Sequence, residues 1–278
     1  MDKYIFEQFI TKIEKEDTAN FFKYILINVQ ERIDTKEKRY LQYYPQSNRG
    51  IKLIVETTKD KKGKFNLDGF KFHHTSEQEW TFQIVKSINS FPNTYVVKRE
   101  DGTGTSCIRL VNEGILDQEL KKGTIIKGQV CGIVMSGDIY KNEDEYRETV
   151  PVNEDGNKTV MNDGNLIALN LLKNNSAKLT EEERKSKDHR RDNLLTFKSQ
   201  LKNVQEREIS LFDIDLPNYY TATIDTNNGE LDVIIPKSIV DKYKGKISNG
   251  NTIIGELLLS CDICIDKYKN KIEVNTEE

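Results

Sequence analysis

Apolar residues fall into short runs separated by glycine, asparagine and charge clusters, and the runs change period along the chain. Near the start, Ile5, Phe9 and Ile13 recur four residues apart, with Phe6 and Ile10 beside them, so a helix is expected. Asp17 or Thr18 is an N-cap for a second helix, with Phe22, Ile25, Leu26, Val29 and Ile33 on its inner face. Period two then takes over. Ile51 to Val55 reads as a strand. The tip Lys59-Asp60-Lys61-Lys62-Gly63-Lys64 suits a hairpin, with Phe65 to Phe72 returning.

The clearest strand begins at Trp80. Trp80, Phe82 and Ile84 share one parity, while Thr81 and Gln83 share the other, so the first set should be buried and the second should face outward. Tyr95 to Lys98 and Cys107 to Val111 are strands joined by the turn Asp101-Gly102-Thr103-Gly104. Ile115, Leu116 and Leu120 suggest a short helix. Ile125 to Met135 is a long fourth strand, and a fifth begins near Asp138. Gly128 and Gly132, of one parity on the long strand, suit a sharp bend.

Thr180-Glu181-Glu182-Glu183 has the form of a capping box. It predicts a polar helix to about Arg207, with Leu194, Leu195, Lys198 and Leu201 along its edge. Beyond it, Tyr220 to Ile224 and Leu231 to Ile235 flank the turn Asn227-Asn228-Gly229. Lys237 to Tyr243 reads as a short helix and Thr252 to about Ile265 as a long strand, with Lys271 to Val274 as a last one.

These elements give an α+β class: N-terminal helices, then two β-rich modules joined by a polar helix. The expected divisions are a helical and hairpin region at 1–77, a first module at 78–165 with an acidic excursion, a connecting helical segment at 166–208, and a second module at 209–278. Three strands, a helix and two strands is the order of the OB-fold, a five-stranded Greek-key barrel. The chain resembles that architecture over roughly 78–148 and 209–274 in element order alone. Both modules also run strand, glycine turn, strand, short helix, glycine, long strand. Thr124-Ile125-Ile126 is matched by Thr252-Ile253-Ile254, and the pattern suggests an internal repeat.

Composition narrows the classes. The chain has 278 residues and a formal net charge of −3, so no global basic footprint points to nucleic acid. Charge is uneven, however: 36–71 holds ten Lys/Arg against four Asp/Glu, and 138–163 holds eight acids against three bases. No apolar run is long enough to span a membrane, and the N-terminal residues lack the pattern of a signal peptide. Four cysteines are too few for a disulfide scaffold, so a cytoplasmic location is expected. The richness in Lys, Asn and Ile fits an AT-rich bacterial or phage genome.

No motif carries recognisable catalysis, and no cofactor or metal is expected. Gly123-x4-Gly128 lacks the lysine of a P-loop. Cys261 and Cys264 would point to opposite faces of a strand and read as structural. His73 and His74 are adjacent and would diverge, so they read as surface or hairpin residues. His189 lies in a charged run.

The stretch with most functional weight is basic and aromatic: Lys38, Arg39, Tyr40, Tyr43 and Tyr44, with Arg49 and Lys52 following. Cations neutralise phosphates and tyrosines stack on unpaired bases. The expected function is therefore a non-enzymatic accessory protein binding single-stranded DNA or RNA. The alternative is a protein-interaction or assembly adaptor with a protein partner and no nucleic-acid contact.

Overall fold

A computed structural model describes residues 18–35, 38–44, 50–76, 78–88, 93–100, 105–116, 120–152, 155–158, 160–168, 194–208, 210–211, 214–215 and 218–264. The expected helix around Ile5 to Ile13, His189, Arg49 and the last expected strand lie outside them.

Helix α1 (Thr18–Asn28) leads into a four-stranded antiparallel sheet of β1 (Glu31–Asp34), β2 (Lys38–Tyr43), β3 (Ile51–Lys59) and β4 (Phe65–His74), paired in chain order. The charged hairpin tip expected at 59–64 joins β3 to β4, with Gly63 at φ 81°. The face of α1 differs from expectation. Phe21 and Ile25 are buried, whereas Leu26 is exposed and Ile33 belongs to β1.

The remaining strands build a larger sheet. It contains β5 (Glu79–Ser87), β6 (Thr94–Arg99), β7 (Thr105–Leu110), β8 (Ile125–Tyr140), β9 (Ile167–Ala168), β10 (Leu195–Arg207), β13 (Tyr219–Thr226), β14 (Gly229–Pro236) and β15 (Thr252–Ile263). A small separate hairpin pairs β11 (Ser210–Leu211) with β12 (Ile214–Asp215). Helix α2 (Glu143–Thr149) follows β8, and α3 (Lys237–Val240) follows β14. Eight strands close on themselves in the order β13, β14, β8, β5, β6, β7, β15, β10. The long β8 and β15 also pair with each other, from Tyr140↔Thr252 to Gly128↔Ile263. That ribbon divides the ring into two circuits of five strands, each using both β8 and β15.

The circuits pair alike. Trp80↔Gly128 in the first corresponds to Phe197↔Gly255 in the second. Ile84↔Val97 corresponds to Leu201↔Ile224, and Tyr95↔Ile108 to Ala222↔Val233. Each circuit has one parallel pair, Ile108↔Leu259 and Val233↔Gly132. Gly128 and Gly255 are needed where the ribbon's backbones approach. A Cβ on Gly128 would collide with the Cys261 sulfur and the Asp262 carbonyl oxygen, and one on Gly255 with the Ser136 carbonyl oxygen.

Two expectations are corrected here. The segment from Leu195 to Arg207 is strand β10, not the end of a polar helix. Leu195 and Phe197 are buried, and the segment hydrogen-bonds to both β13 and β15, so sheet pairing overrides helix propensity. The fourth strand does not stop before Asp138: β8 runs unbroken to Tyr140, and the acidic excursion begins with α2. As expected, Trp80, Phe82 and Ile84 are buried while Gln83 is exposed.

One apolar core fills both circuits. A second lies between the four-stranded sheet, α1 and the ring's outer wall, joining Phe21, Ile25 and Leu53 to Ile133, Tyr219, Ile234 and Leu258. Among the described residues, no helix is long and apolar enough to cross a membrane.

Candidate functional site

Alternation along β2 decides the fate of the expected basic and aromatic patch. Lys38 and Tyr40 face one side of the sheet, Arg39 and Tyr43 the other. Lys38 pairs with Glu56, and the Tyr40 hydroxyl donates to the same carboxylate at 3.3 Å. Burial opposes ionisation of Glu56, yet Lys38 and Lys71 hold it below the usual carboxylate range. The Tyr40 ring is 1% exposed. Arg39 donates to Asp34 at 2.6 Å and lies 3.7 Å over the Phe65 ring. Tyr43 is buried with its hydroxyl 3.2 Å from that of Tyr24. The Tyr44 hydroxyl donates to Gln42 at 3.3 Å. Lys52 is 3% exposed and pairs with Asp262. Each of these six residues is thus held by the protein itself.

Lys52 belongs to a polar seam between the four-stranded sheet and the ring. Its ammonium also donates to Gln42 at 2.9 Å. Asp262 accepts from Asn112 Nδ2 at 2.5 Å, and Asn112 Oδ1 accepts the Ile263 amide at 2.9 Å. Beside them, His73 Nδ1 lies 3.0 Å from Ser260 Oγ and 3.7 Å from Cys131 Sγ. Burial, then the Lys52 charge, holds the His73 imidazole well below its ordinary pKa. Burial pushes the Cys131 thiol up to about 12, so this cysteine–histidine contact does not generate a thiolate. The seam binds two layers together and is buried, with Asp262 keeping 8% of its surface exposed.

His74, the next residue, points the other way. It lines a groove of about 500 Å³ between the β4–β5 link and the outer wall of β10, β13 and β14. The expectation of surface histidines is corrected for both. His73 is fully buried and His74 only 9% exposed. Among the described residues, neither ring nitrogen of His74 has a hydrogen-bond partner. Burial lowers its pKa to about 4, with Asp232 opposing and Arg207 adding to the shift. At neutral pH it therefore offers one donor and one acceptor.

A bulge builds the groove wall. Leu201 points into the core, so strict alternation would turn residue 205 inward as well. Between Lys202↔Thr223 and Gln205↔Thr221, β10 carries one extra residue, and Asn203 takes φ 51°, a left-handed conformation asparagine tolerates. Gln205 and Arg207 consequently emerge on the outer wall. Arg207 Nε donates to Thr221 Oγ1 at 3.4 Å, and among the described residues its terminal nitrogens make no hydrogen bond or ion pair. Opposite, Asp232 accepts from Ser76 Oγ at 3.0 Å and from Thr223 Oγ1 at 2.9 Å. Apart from Ala222 the lining is polar, and besides the His74 imidazole it contains no aromatic ring.

None of these groove residues was singled out from sequence except His74. The one local signal in the sequence is the alternation of Thr221 and Thr223 with Tyr220, Ala222 and Ile224, which puts the two hydroxyls on the opposite face from the core. Compared with known proteins, the chain matches no protein-family model and no curated protein sequence. Among the described residues, no cluster of three or more His, Cys, Asp or Glu side chains is placed to hold a metal ion.

Proposed function

We propose that the chain is a non-catalytic recognition protein, an adaptor whose groove on the outer wall of the second circuit receives a polypeptide partner. The observation that carries this reading is the pairing of unused hydrogen-bonding groups, on His74 and Arg207, with a polar groove of about 500 Å³. A peptide backbone alternates donors and acceptors, and the groove offers both, from amides, hydroxyls, an imidazole and charges of either sign. A single-stranded nucleic acid calls for stacking platforms and unpaired cations. The groove supplies no such platform, and its single arginine shares the lining with the carboxylates of Asp232 and Glu230.

The test is a peptide display selection on the full chain, followed by titration of an enriched peptide and of a single-stranded oligonucleotide at low salt. Peptide binding weakened by Arg207→Ala, with no oligonucleotide binding, is the expected result.

A second reading has one observation in its favour. Each five-strand circuit has a parallel pair and a short helical turn, Glu113–Ile115 in the first and Lys237–Val240 in the second, an arrangement that supports the strand order of an OB-like barrel whose last strand is lent by the other half. We propose on that basis that the two halves are a duplicated unit. Such barrels hold oligonucleotides on the face of their second and third strands, which here are β13 and β14. If this reading is right, the oligonucleotide binds at low salt with a log–log salt slope of about −0.7 per phosphate contact. The cysteines are all unbridged, which fits the reducing cytoplasm proposed as its location.

A further inference from the structure

We propose that the Arg207–His74 corner of the groove is a receptor for the C-terminal carboxylate of a peptide, an inference that rests on the adaptor reading and names what its groove recognises. Four observations point to this chemistry. The Arg207 guanidinium presents terminal N–H groups with no partner among the described residues, and a planar fork matches a carboxylate bidentately. The His74 imidazole stands 91% buried in the same groove with both nitrogens unpartnered, so one N–H can add a third hydrogen bond. Arg207 and Asp232 line the groove with His74, and both are close enough for their opposite charges to be felt at its imidazole.

The fourth observation is the placement of Asp232. Its oxygens already accept hydroxyls from Ser76 and Thr223, which fixes the carboxylate on the groove wall with lone pairs remaining. It faces a ligand that is anionic at one end and an N–H donor next to it. A peptide terminus has that form, because its last amide N–H belongs to the same residue as the carboxylate. A dianionic phosphate does not, since Asp232 and the nearby Glu230 would repel it. Glu230 itself is 3.6 Å from Lys202, which leaves Asp232 as the charge that balances Arg207. The backbone of the preceding residues would run along Thr221, Gln205 and Gln129.

The chain holds only three histidines, so nitrogen-15 labelling of histidine gives a spectrum simple enough to follow His74, identified by its loss in His74→Gln. The full-length protein at neutral pH is titrated with four probes. These are N-acetyl-trialanine with a free C-terminus, its C-terminal amide, the C-terminal amide of N-acetyl-alanyl-glutamyl-alanine, and inorganic phosphate. The expected result is a saturable shift of the His74 signals by the free acid, with the amide about tenfold weaker or worse, the size of one charge-assisted hydrogen bond. Arg207→Gln should show the same loss while its melting curve stays unchanged, and Arg207→Lys should not restore binding.

Equal binding of acid and amide would overturn the carboxylate receptor and leave the peptide groove standing. Equal binding of the glutamyl amide or of phosphate would likewise overturn it, as a general anion site. Silence of His74 towards all four probes overturns it too. If display-selected peptides then still bind without disturbing His74, the groove reading fails as well.

Discussion

Two neighbouring histidines separate the polar seam from the polar groove. His73 and His74 end the same strand, and alternation sends them to opposite sides. His73 enters a layer interface where its neighbours are already hydrogen-bonded: Lys52 to Asp262 and Gln42, Asp262 to Asn112, Ser260 to His73 itself. His74 enters a groove where Asp232 is braced by two hydroxyls but Arg207 and the imidazole have donors to spare. Buried polar groups that satisfy one another specify a fold, whereas unsatisfied ones facing a cavity are a binding hypothesis. Chemistry alone does not distinguish the two regions, because both combine a cation, a carboxylate, a hydroxyl and an imidazole. What differs is the cation: in the seam Lys52 pairs with Asp262, whereas among the described residues the terminal nitrogens of Arg207 have no partner, and each histidine keeps an unpartnered nitrogen, Nε2 of His73 and both of His74.

The comparison is broken most forcefully at Lys52. Replacing Lys52 with Met leaves the Asp262 carboxylate buried without its cation, and removing one partner of such a pair costs about 3–5 kcal/mol. Urea denaturation should show the midpoint falling with an unchanged slope. The double replacement Lys52→Met with Asp262→Leu should recover much of the loss, because no charge is then stranded. Asp232→Asn, the matching change in the groove, should cost far less. Equal losses at the two sites would erase the distinction between seam and groove.

Acid titration gives the next largest effect. A histidine with a depressed native pKa stays neutral while the unfolded chain takes up its proton near pH 6.5. Its contribution is therefore full above that value and is lost as pH falls towards the native pKa. For His74, lowered to about 4, the loss over this interval is about 3 kcal/mol at 1.36 kcal/mol per pH unit. His73 adds to the same limb. Carboxylates held low by cations, such as Asp34 near 2 and Glu56 and Glu143, give way only at lower pH. The stability of His74→Gln should thus be flatter between pH 6.5 and about 4 than that of the parent, measured by denaturant midpoint at each pH.

Much of the β-architecture was legible because its signals are local. Trp80, Phe82 and Ile84 announce one buried face by parity, and Asn227-Asn228-Gly229 announces the β13–β14 hairpin. That adjacent histidines diverge was legible too, but their burial was not, since it depends on packing partners far along the chain. Ser260 is 187 residues from His73, and Asp262 is 210 from Lys52. β10 was misread because its outward positions are polar and a capping pattern precedes it. Lys198 was read with Leu194, Leu195 and Leu201 along the edge of that helix, yet it is a buried strand residue whose ammonium is held at 2.8 Å by both oxygens of Glu143 on α2. The bulge at Asn203 carries no pattern in sequence, and without it Arg207 would face the core.

A smaller effect sharpens the account of the groove. Ser76→Ala removes one of the two hydroxyls that brace Asp232. The remaining Thr223 bond and the groove's access to water limit the cost to about 1 kcal/mol, a small fall in the denaturation midpoint. A loss several times larger would mean that Asp232 is a structural carboxylate like Asp262, and that the groove belongs with the seam.

The smallest expected effect is the most discriminating. Arg207 makes one long hydrogen bond, 3.4 Å to Thr221, and lies at the end of β10 where it is half-buried. Replacing it with Gln keeps the aliphatic stem's cover over the strand and removes a charge that makes no ion pair among the described residues. Stability should change by no more than about 0.5 kcal/mol, as at surface positions free of a named structural role. Removing Arg207 also takes away a charge that disfavours imidazolium in His74, so the acid limb should become slightly shallower, not steeper. A structural arginine would behave in the opposite way, with a clear loss of midpoint and a disturbed sheet. Near-constant stability together with lost binding would mark Arg207 as a residue kept for a ligand, and the combination can be read from one variant in two measurements.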